Sequence, residues 1–308
     1  MKKIFLIGCL GILGFSSCDK VENPFPEVIA TELDYTLYPG GDSVAYAATE
    51  WPTFTQSTNT LRNLLIEDFT GHKCIYCAPA ADTAHLLIEE NSERVYATAI
   101  HAGPTGLGSF QSTDATFTTD FTNAEGIDIG IHFGSMPGTV FTSNPKGNVS
   151  RILTGGQHFS SPSEWRSLVS SNLSVGLKVN VQSQANFYPS TSGLFLHTEV
   201  EVLDAGLNTD DLYLVVYLVE DSIVAPQKMP PPAPTNYDYV HRDVMRGCIS
   251  SNWRGRQLED DDLLNGKYYL DYSYPLPGQY NPENMHLLIY VRDNVTEEIY
   301  HVIKQDIQ

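Results

Sequence analysis

Residues 64–79 limit what this chain can become more than any other stretch. They read Leu-Leu-Ile-Glu-Asp-Phe-Thr-Gly-His-Lys-Cys-Ile-Tyr-Cys-Ala-Pro. An apolar run suited to a buried strand enters, and a short polar turn follows. Two cysteines three apart, Cys74 and Cys77, then open a segment in which Ala80, Ala81, Ala84, Leu87 and Ile88 recur at helical spacing. Cysteines so placed have a definite chemistry. The first thiol meets the unpaired N–H groups of the helix N-terminus, which favour the thiolate. The second lies close enough to form a readily exchanged disulfide with it.

The surrounding pattern is α/β. Asn63 to Phe69 reads as a buried strand, Ile75 to Asn91 as a helix and Val95 to Ile100 as a second strand. A polar region from His101 to Thr116 follows, then a helical segment from Phe117 to Ala124 and a strand from Met136 to Phe141. Ser161-Pro162-Ser163-Glu164 carries a capping serine, an N-terminal proline and a closing glutamate. Trp165, Leu168, Val169 and Leu173 form the apolar face of the helix it starts. After Val175 the helical signal ends. Gly176–Phe187, Gly193–Leu203, Leu212–Val219, Lys267–Tyr274, Met285–Val291 and Ile299–Ile303 read as strands separated by turn residues, the pattern of an antiparallel sandwich. Residues 226–264 form an irregular insert headed by prolines. The expected organisation is a signal segment over 1–17, a tether with short strands over 18–55, an α/β domain over 56–174 and a β-sandwich domain over 175–308.

The N-terminus sets the compartment. Lys2 and Lys3 precede the apolar stretch Ile4–Phe15, which is too short to span a bilayer and reads as a signal-peptide core. Ser16-Ser17-Cys18 resembles a bacterial lipobox, which makes Cys18 the expected lipidated residue of an exported protein held at a membrane by its lipid. Ordinary signal cleavage nearby is the alternative. The formal charge is −19, and −21 once Lys2 and Lys3 are removed, so nucleic acid is an unsuitable partner. If Cys18 carries lipid, Cys74 and Cys77 can pair and Cys248 remains, in a compartment that permits disulfides.

The strand, turn, CxxC and helix resemble the thioredoxin family. Asp68 and Phe69 stand six and five residues before Cys74, the offsets of that family's buried aspartate and the phenylalanine after it. The resemblance implies that Asp68 takes the proton of Cys77, with Glu67 as rival, and that Pro137 is the cis-proline facing the sulfurs. Lys73 replaces the usual tryptophan, Ile75-Tyr76 replaces Gly-Pro, and the helix proline comes early, at Pro79. Lys73 is expected to favour a thiolate at Cys74. Taken whole, the lipobox, Ile66-Glu67-Asp68-Phe69-Thr70-Gly71, the CxxC pair, the strand-rich second half, and Tyr239-Val240-His241-Arg242-Asp243 with Trp253-Arg254-Gly255 resemble the outer membrane protein 28-related lipoproteins of Bacteroidetes. That resemblance implies a thioredoxin-like domain followed by an immunoglobulin-like antiparallel β-sandwich, at the outer membrane, facing the periplasm or the cell surface.

The residues leave alternatives open. Cys74 and Cys77 fit a redox pair, an inert disulfide or half a metal site, although Cys248 supplies no second close pair for zinc. His72 fits either a thiolate neighbour or a solvated loop. His101 and His132 are further candidates for the vicinity of the site. Glu259-Asp260-Asp261-Asp262 fits a calcium loop less well than a solvated turn paired with Arg246, Arg254 and Arg256. The tyrosines at 268, 269, 272, 274 and 280 fit strand faces or a carbohydrate surface. Two functions follow. In the first, Cys74 attacks, Cys77 resolves, Asp68 takes the proton and Pro137 holds the substrate, with protein thiols or disulfides of the cell envelope as partners and no cofactor or metal. In the second, the chain is a surface binding module, an adhesin or nutrient-capture accessory, braced by a structural disulfide.

Overall fold

A computed structural model describes residues 33–250 and 252–307. The signal segment and Cys18 lie outside the described residues. The elements in chain order are α1 (Ser43–Thr49), β1 (Leu64–Phe69), α2 (Cys77–Glu90), β2 (Val95–Ile100), α3 (Ala124–Gly134), β3 (Lys146–Val149), α4 (Pro162–Asn172), β4 (Val179–Tyr188), β5 (Gly193–Val202), β6 (Leu212–Glu220), β7 (Ile223–Gln227), β8 (Asn236–His241), β9 (Val244–Cys248), β10 (Arg256–Gln257), β11 (Leu263–Leu264), β12 (Lys267–Pro275), β13 (Met285–Asp293) and β14 (Ile299–Asp306).

The fold is mixed α/β, with two large sheets and a hairpin. One sheet runs β14-β13-β6-β9-β2-β1-β3 with β10 beside β6, the second runs β11-β12-β5-β4, and β7 pairs with β8. Helices α2 and α4 cover one face of β1–β3, where Leu64, Ile66, Ala84, Leu87, Trp165 and Val169 are buried together. At the other end, β6, β13 and β14 face β4, β5 and β12 across a core that includes Leu196, Val200, Val216, Leu270, Leu287 and Ile289. Strands from before and after residue 175 share the larger sheet through β9. It pairs antiparallel with β6 and parallel with β2, and the Ala99 amide donates to the Asp243 carbonyl at 2.8 Å.

Several expectations change. The stretch before residue 55 carries no strand among its described residues. Its centre is α1, which Asp42 caps by accepting from the Val44 and Ala45 amides. Tyr46 anchors it, fully buried against Phe195 at 4.6 Å between ring centroids. Residues 117–123 are not helical. Asp114 and Asp120 accept hydrogen bonds from amides two and three residues on, and these local turns compete with a helix until Asn123 caps α3. The insert is not irregular throughout, since it contains β8 and β9 as well as the short β10 and β11. The Ser161 capping box at α4 is present as expected.

A buried ion pair joins β1 to the second half. Arg151 and Glu67 are both fully buried and paired at 2.7 Å, and the Tyr217 and Tyr290 hydroxyls close the network. Burial alone would raise the Glu67 carboxyl, but the Arg151 charge, with bonds from Arg151, Asn148 and Tyr217, holds it below its ordinary value. Removing one partner leaves an uncompensated charge. Glu67→Gln is therefore expected to cost about 3–5 kcal/mol in denaturant unfolding. A loss under about 1 kcal/mol would contradict this role.

Candidate functional site

The alternation of β1 separates its two carboxylates. Successive strand side chains point to opposite faces. Leu64 and Ile66 belong to the core under α2, whereas Leu65 and Phe69 belong to the core on the other side. Asp68 therefore points towards α2, and Glu67 points away, to Arg151. This removes Glu67 as a rival for the cysteine site. Asp68 lines a small cavity with Cys77, Ala78 and Ala81 from the first turns of α2.

Asp68 is in an expensive environment. It is 2 % exposed, and neither carboxyl oxygen meets a hydrogen-bond partner among the described residues. Burial pushes its carboxyl up to about 8. The group is thus largely a neutral acid near pH 7, at the upper edge of the physiological range.

Cys74 and Cys77 form a disulfide with Cα atoms 5.4 Å apart. Cys74 lies in the turn that leads into α2. Its amide donates to the Gly71 carbonyl at 3.0 Å, and the Cys77 amide returns to the Cys74 carbonyl at 3.2 Å. The turn is packed tightly, since a Cβ at Gly71 would fall 2.6 Å from the Phe110 carbonyl oxygen. No side chain caps the N-terminus of α2, so its amide dipole remains directed at the cysteine turn. Tyr76, between the cysteines, is 60 % exposed.

Both cysteines are covered, Cys74 at 2 % and Cys77 at 1 % exposure. Part of the cover comes from the end of β7 and the residue after it. Gln227 Nε2 donates to the Cys74 carbonyl at 3.0 Å, and the Lys228 amide donates to the His72 carbonyl at 2.8 Å. Residues 228–235 then form a proline-rich strap before β8. No sequence signal in the cysteine segment announces this contact, because it comes from about 150 residues away in the chain.

Three histidines gather beside the pair. His72 is buried, contrary to a solvated loop, and its Nε2 lies 3.0 Å from the Ser112 carbonyl. His101 stacks on Phe121 at 4.5 Å between ring centroids, and His241 packs on the same ring at 4.4 Å. Burial lowers all three imidazoles, His241 to about 4 and His101 well below its usual value. His132 is elsewhere, bonded to Glu297 at 2.9 Å. His241 was legible only as part of the Tyr239–Asp243 motif, without a role. Among the described residues no group of three or more His, Cys, Asp or Glu side chains is placed to hold a metal ion.

Other expected residues move or change character. Pro137 is not in a cis bond; among the described residues the cis bonds are Asn144–Pro145 and Pro231–Pro232. Met136 to Thr139 is a turn instead of a strand. The Thr139 amide bonds to the Met136 carbonyl at 3.1 Å and Gly138 has φ +71°, the residue pattern of a Pro-Gly type II turn. Pro145 directly precedes β3, which pairs with β1, and Asn144 beside it donates to the Ala102 carbonyl at 2.8 Å. Lys73 is engaged by Asp114 at 2.7 Å, which offsets the charge expected to act on Cys74. Cys248 is free and partly buried, with its thiol pushed up by burial, which makes it a packing residue. Arg256 pairs with Asp262, and Arg246 pairs with Glu220 at 2.7 Å. Tyr268 and Tyr272 are buried in the core between the two large sheets, and Tyr269 lines a groove on the outer side of β12.

That groove, of about 680 Å³, lies on the outer side of β5 and β12, lined by Trp51, His197, Glu199, Arg256, Tyr269 and Asp271 among others. His197 is fixed there, bonded to Tyr46 at 2.8 Å and Asp271 at 2.7 Å.

Comparison with known proteins gives a consistent setting. The family model of the outer membrane protein Omp28 matches residues 139–308. Among solved structures, HBP35 of Porphyromonas gingivalis is similar with a TM-score of 0.58 at 18 % identity, covering 82 % of this chain and 76 % of that one. A domain of the outer membrane lipoprotein Omp28 from Porphyromonas gingivalis matches at 24 % identity, covering 43 % of this chain and 89 % of that one, with a TM-score of 0.29. No curated protein matches the sequence.

Proposed function

The chain belongs to the outer membrane protein Omp28 family, and in that setting we propose that its Cys74–Cys77 pair exchanges thiols and disulfides with proteins of the cell envelope. The pair would work from a thioredoxin-like α/β unit joined to an immunoglobulin-like sandwich, tethered by lipid on Cys18. The observation that carries this reading is Asp68. A bracing disulfide needs no carboxyl group beside it. A buried carboxyl without a hydrogen bond costs several kcal/mol even when neutral, and this one opens onto Cys77.

In the reducing direction the Cys74 thiolate attacks a substrate disulfide. A mixed disulfide forms and one substrate thiolate leaves. Cys77 gives its proton to ionised Asp68 and attacks Sγ of Cys74. The second substrate sulfur leaves as thiolate and takes up a proton, and the substrate has gained two electrons. An acceptor titrating near 8 is matched to proton transfer at envelope pH. The oxidising direction is the reverse. Cys77→Ala should hold the mixed disulfide, so envelope fractions should show partners that run free only after reduction. The doubly substituted Cys74→Ala, Cys77→Ala protein should show none. Equal recovery from both proteins contradicts exchange at this pair.

The covered sulfurs favour a second reading, a binding module in which the disulfide is a brace. The groove beside Trp51 and His197 would then make the contacts.

A further inference from the structure

Five buried polar atoms without partners sit around one point. They are Asp68 Oδ1 and Oδ2, His101 Nδ1 and Nε2, and His241 Nε2. All three side chains line one cavity of about 20 Å³ that also meets Cys77, Gln227 and Tyr239. Buried polar atoms are nearly always bonded, so a cluster of orphans calls for an explanation. The cavity has room for about one water, which needs two or more polar partners and finds them here. On its other side Asp68 also borders a cavity of about 30 Å³ that reaches Asp82, His85 and Arg242.

We propose that His101 and His241, through a water in this cavity, relay the proton that Asp68 takes from Cys77 out of the protein interior. This rests on the exchange reading above. Asp68, largely a neutral acid near pH 7, must lose its proton before it can take that of Cys77 in each turnover, and at 2 % exposure it reaches bulk water only through the cavities it borders. A neutral imidazole accepts a proton on one ring nitrogen while releasing one from the other. Passage therefore needs no stored imidazolium. The ring of Phe121 packs on both imidazoles and fixes their separation at 6.0 Å between centroids. His241 stands at the far end of β8, paired with Ile223 of β7 and close to the Ala225 and Pro226 backbone, and at 5 % exposure it is the outer member of the pair. His72, Tyr239, Arg242 and Arg246 face the same cluster. The two histidines act on the reaction through Asp68 and touch no substrate.

Stopped-flow oxidation of the reduced protein by 2,2′-dithiodipyridine separates the steps. The first equivalent of pyridinethione reports attack by Cys74, and the second reports resolution by Cys77. His101→Gln and His241→Gln should each lower the ratio of second to first rate by about tenfold or more, and shift the pH midpoint of the second phase. A ratio and midpoint equal to the wild type in both variants would overturn the relay. Testing both keeps the result informative if one variant fails to fold. A first phase no faster than that of a free cysteine peptide would instead overturn the exchange reading.

Discussion

Asp68→Asn is expected to make the protein markedly more stable at pH 7 and slower at resolving a mixed disulfide. The folded carboxyl titrates at about 8 because of burial, against about 3.9 in an unfolded chain. Between these values the unfolded state releases the proton and the folded state keeps it. Stability is unaffected by this group below about pH 4, falls as pH rises through the window and levels off above about pH 8. The penalty at pH 7 is about 4 kcal/mol. An asparagine removes it but brings an amide that also lacks partners, so a net gain of about 2 kcal/mol is expected. Urea unfolding of both proteins at pH 4 and pH 7 measures it. The gain should be present at pH 7 and give way at pH 4, where the carboxylate penalty has almost vanished, to a loss of about 1–2 kcal/mol. A variant less stable than wild type at pH 7 would mean that Asp68 is held by contacts the structure does not contain. Such a trade of stability for function is common at sites of chemistry.

Loosening the strap should have the second large effect. Two hydrogen bonds hold it to the cysteine turn, from Gln227 Nε2 and from the Lys228 amide. Gln227→Ala removes the first donor and Lys228→Pro removes the second, since proline has no N–H. At about 1 kcal/mol each, their combined loss would raise the open population by about 30-fold. The rate of disulfide reduction by dithiothreitol should rise by a similar factor. An unchanged rate would mean that the strap is not the barrier to the sulfurs. A rise confined to the double variant would mean that either bond alone suffices.

The sequence and the structure agree best where the signal is local. The strand entering the cysteines, the Ser161 capping box and the long strands of the second half have period or cap residues that specify them within a few positions. The position of Asp68 six residues before Cys74 was legible for the same reason, because strand alternation fixes its face. Glu67, adjacent in sequence, was separable from it only once Arg151 could be seen on the opposite side. Pro137-Gly138 is itself a turn signal, whereas the strand after Pro145 reads Lys-Gly-Asn-Val, with almost no apolar run to mark it. What could not be read was long-range. Gln227 and His241 reach the site from an insert dominated by prolines, and β9 joins the larger sheet to β2 at a single register pair, Ala99 with Val244. A pair that short leaves almost no periodic trace.

The reduction potential of the Cys74–Cys77 pair tests the central claim most directly. It is measured by equilibrating the soluble protein with dithiothreitol buffers and counting free thiols. An exchange centre should give a value above about −300 mV, within reach of envelope redox partners. A value well below about −300 mV would mark a structural bond and contradict the function proposed for the site.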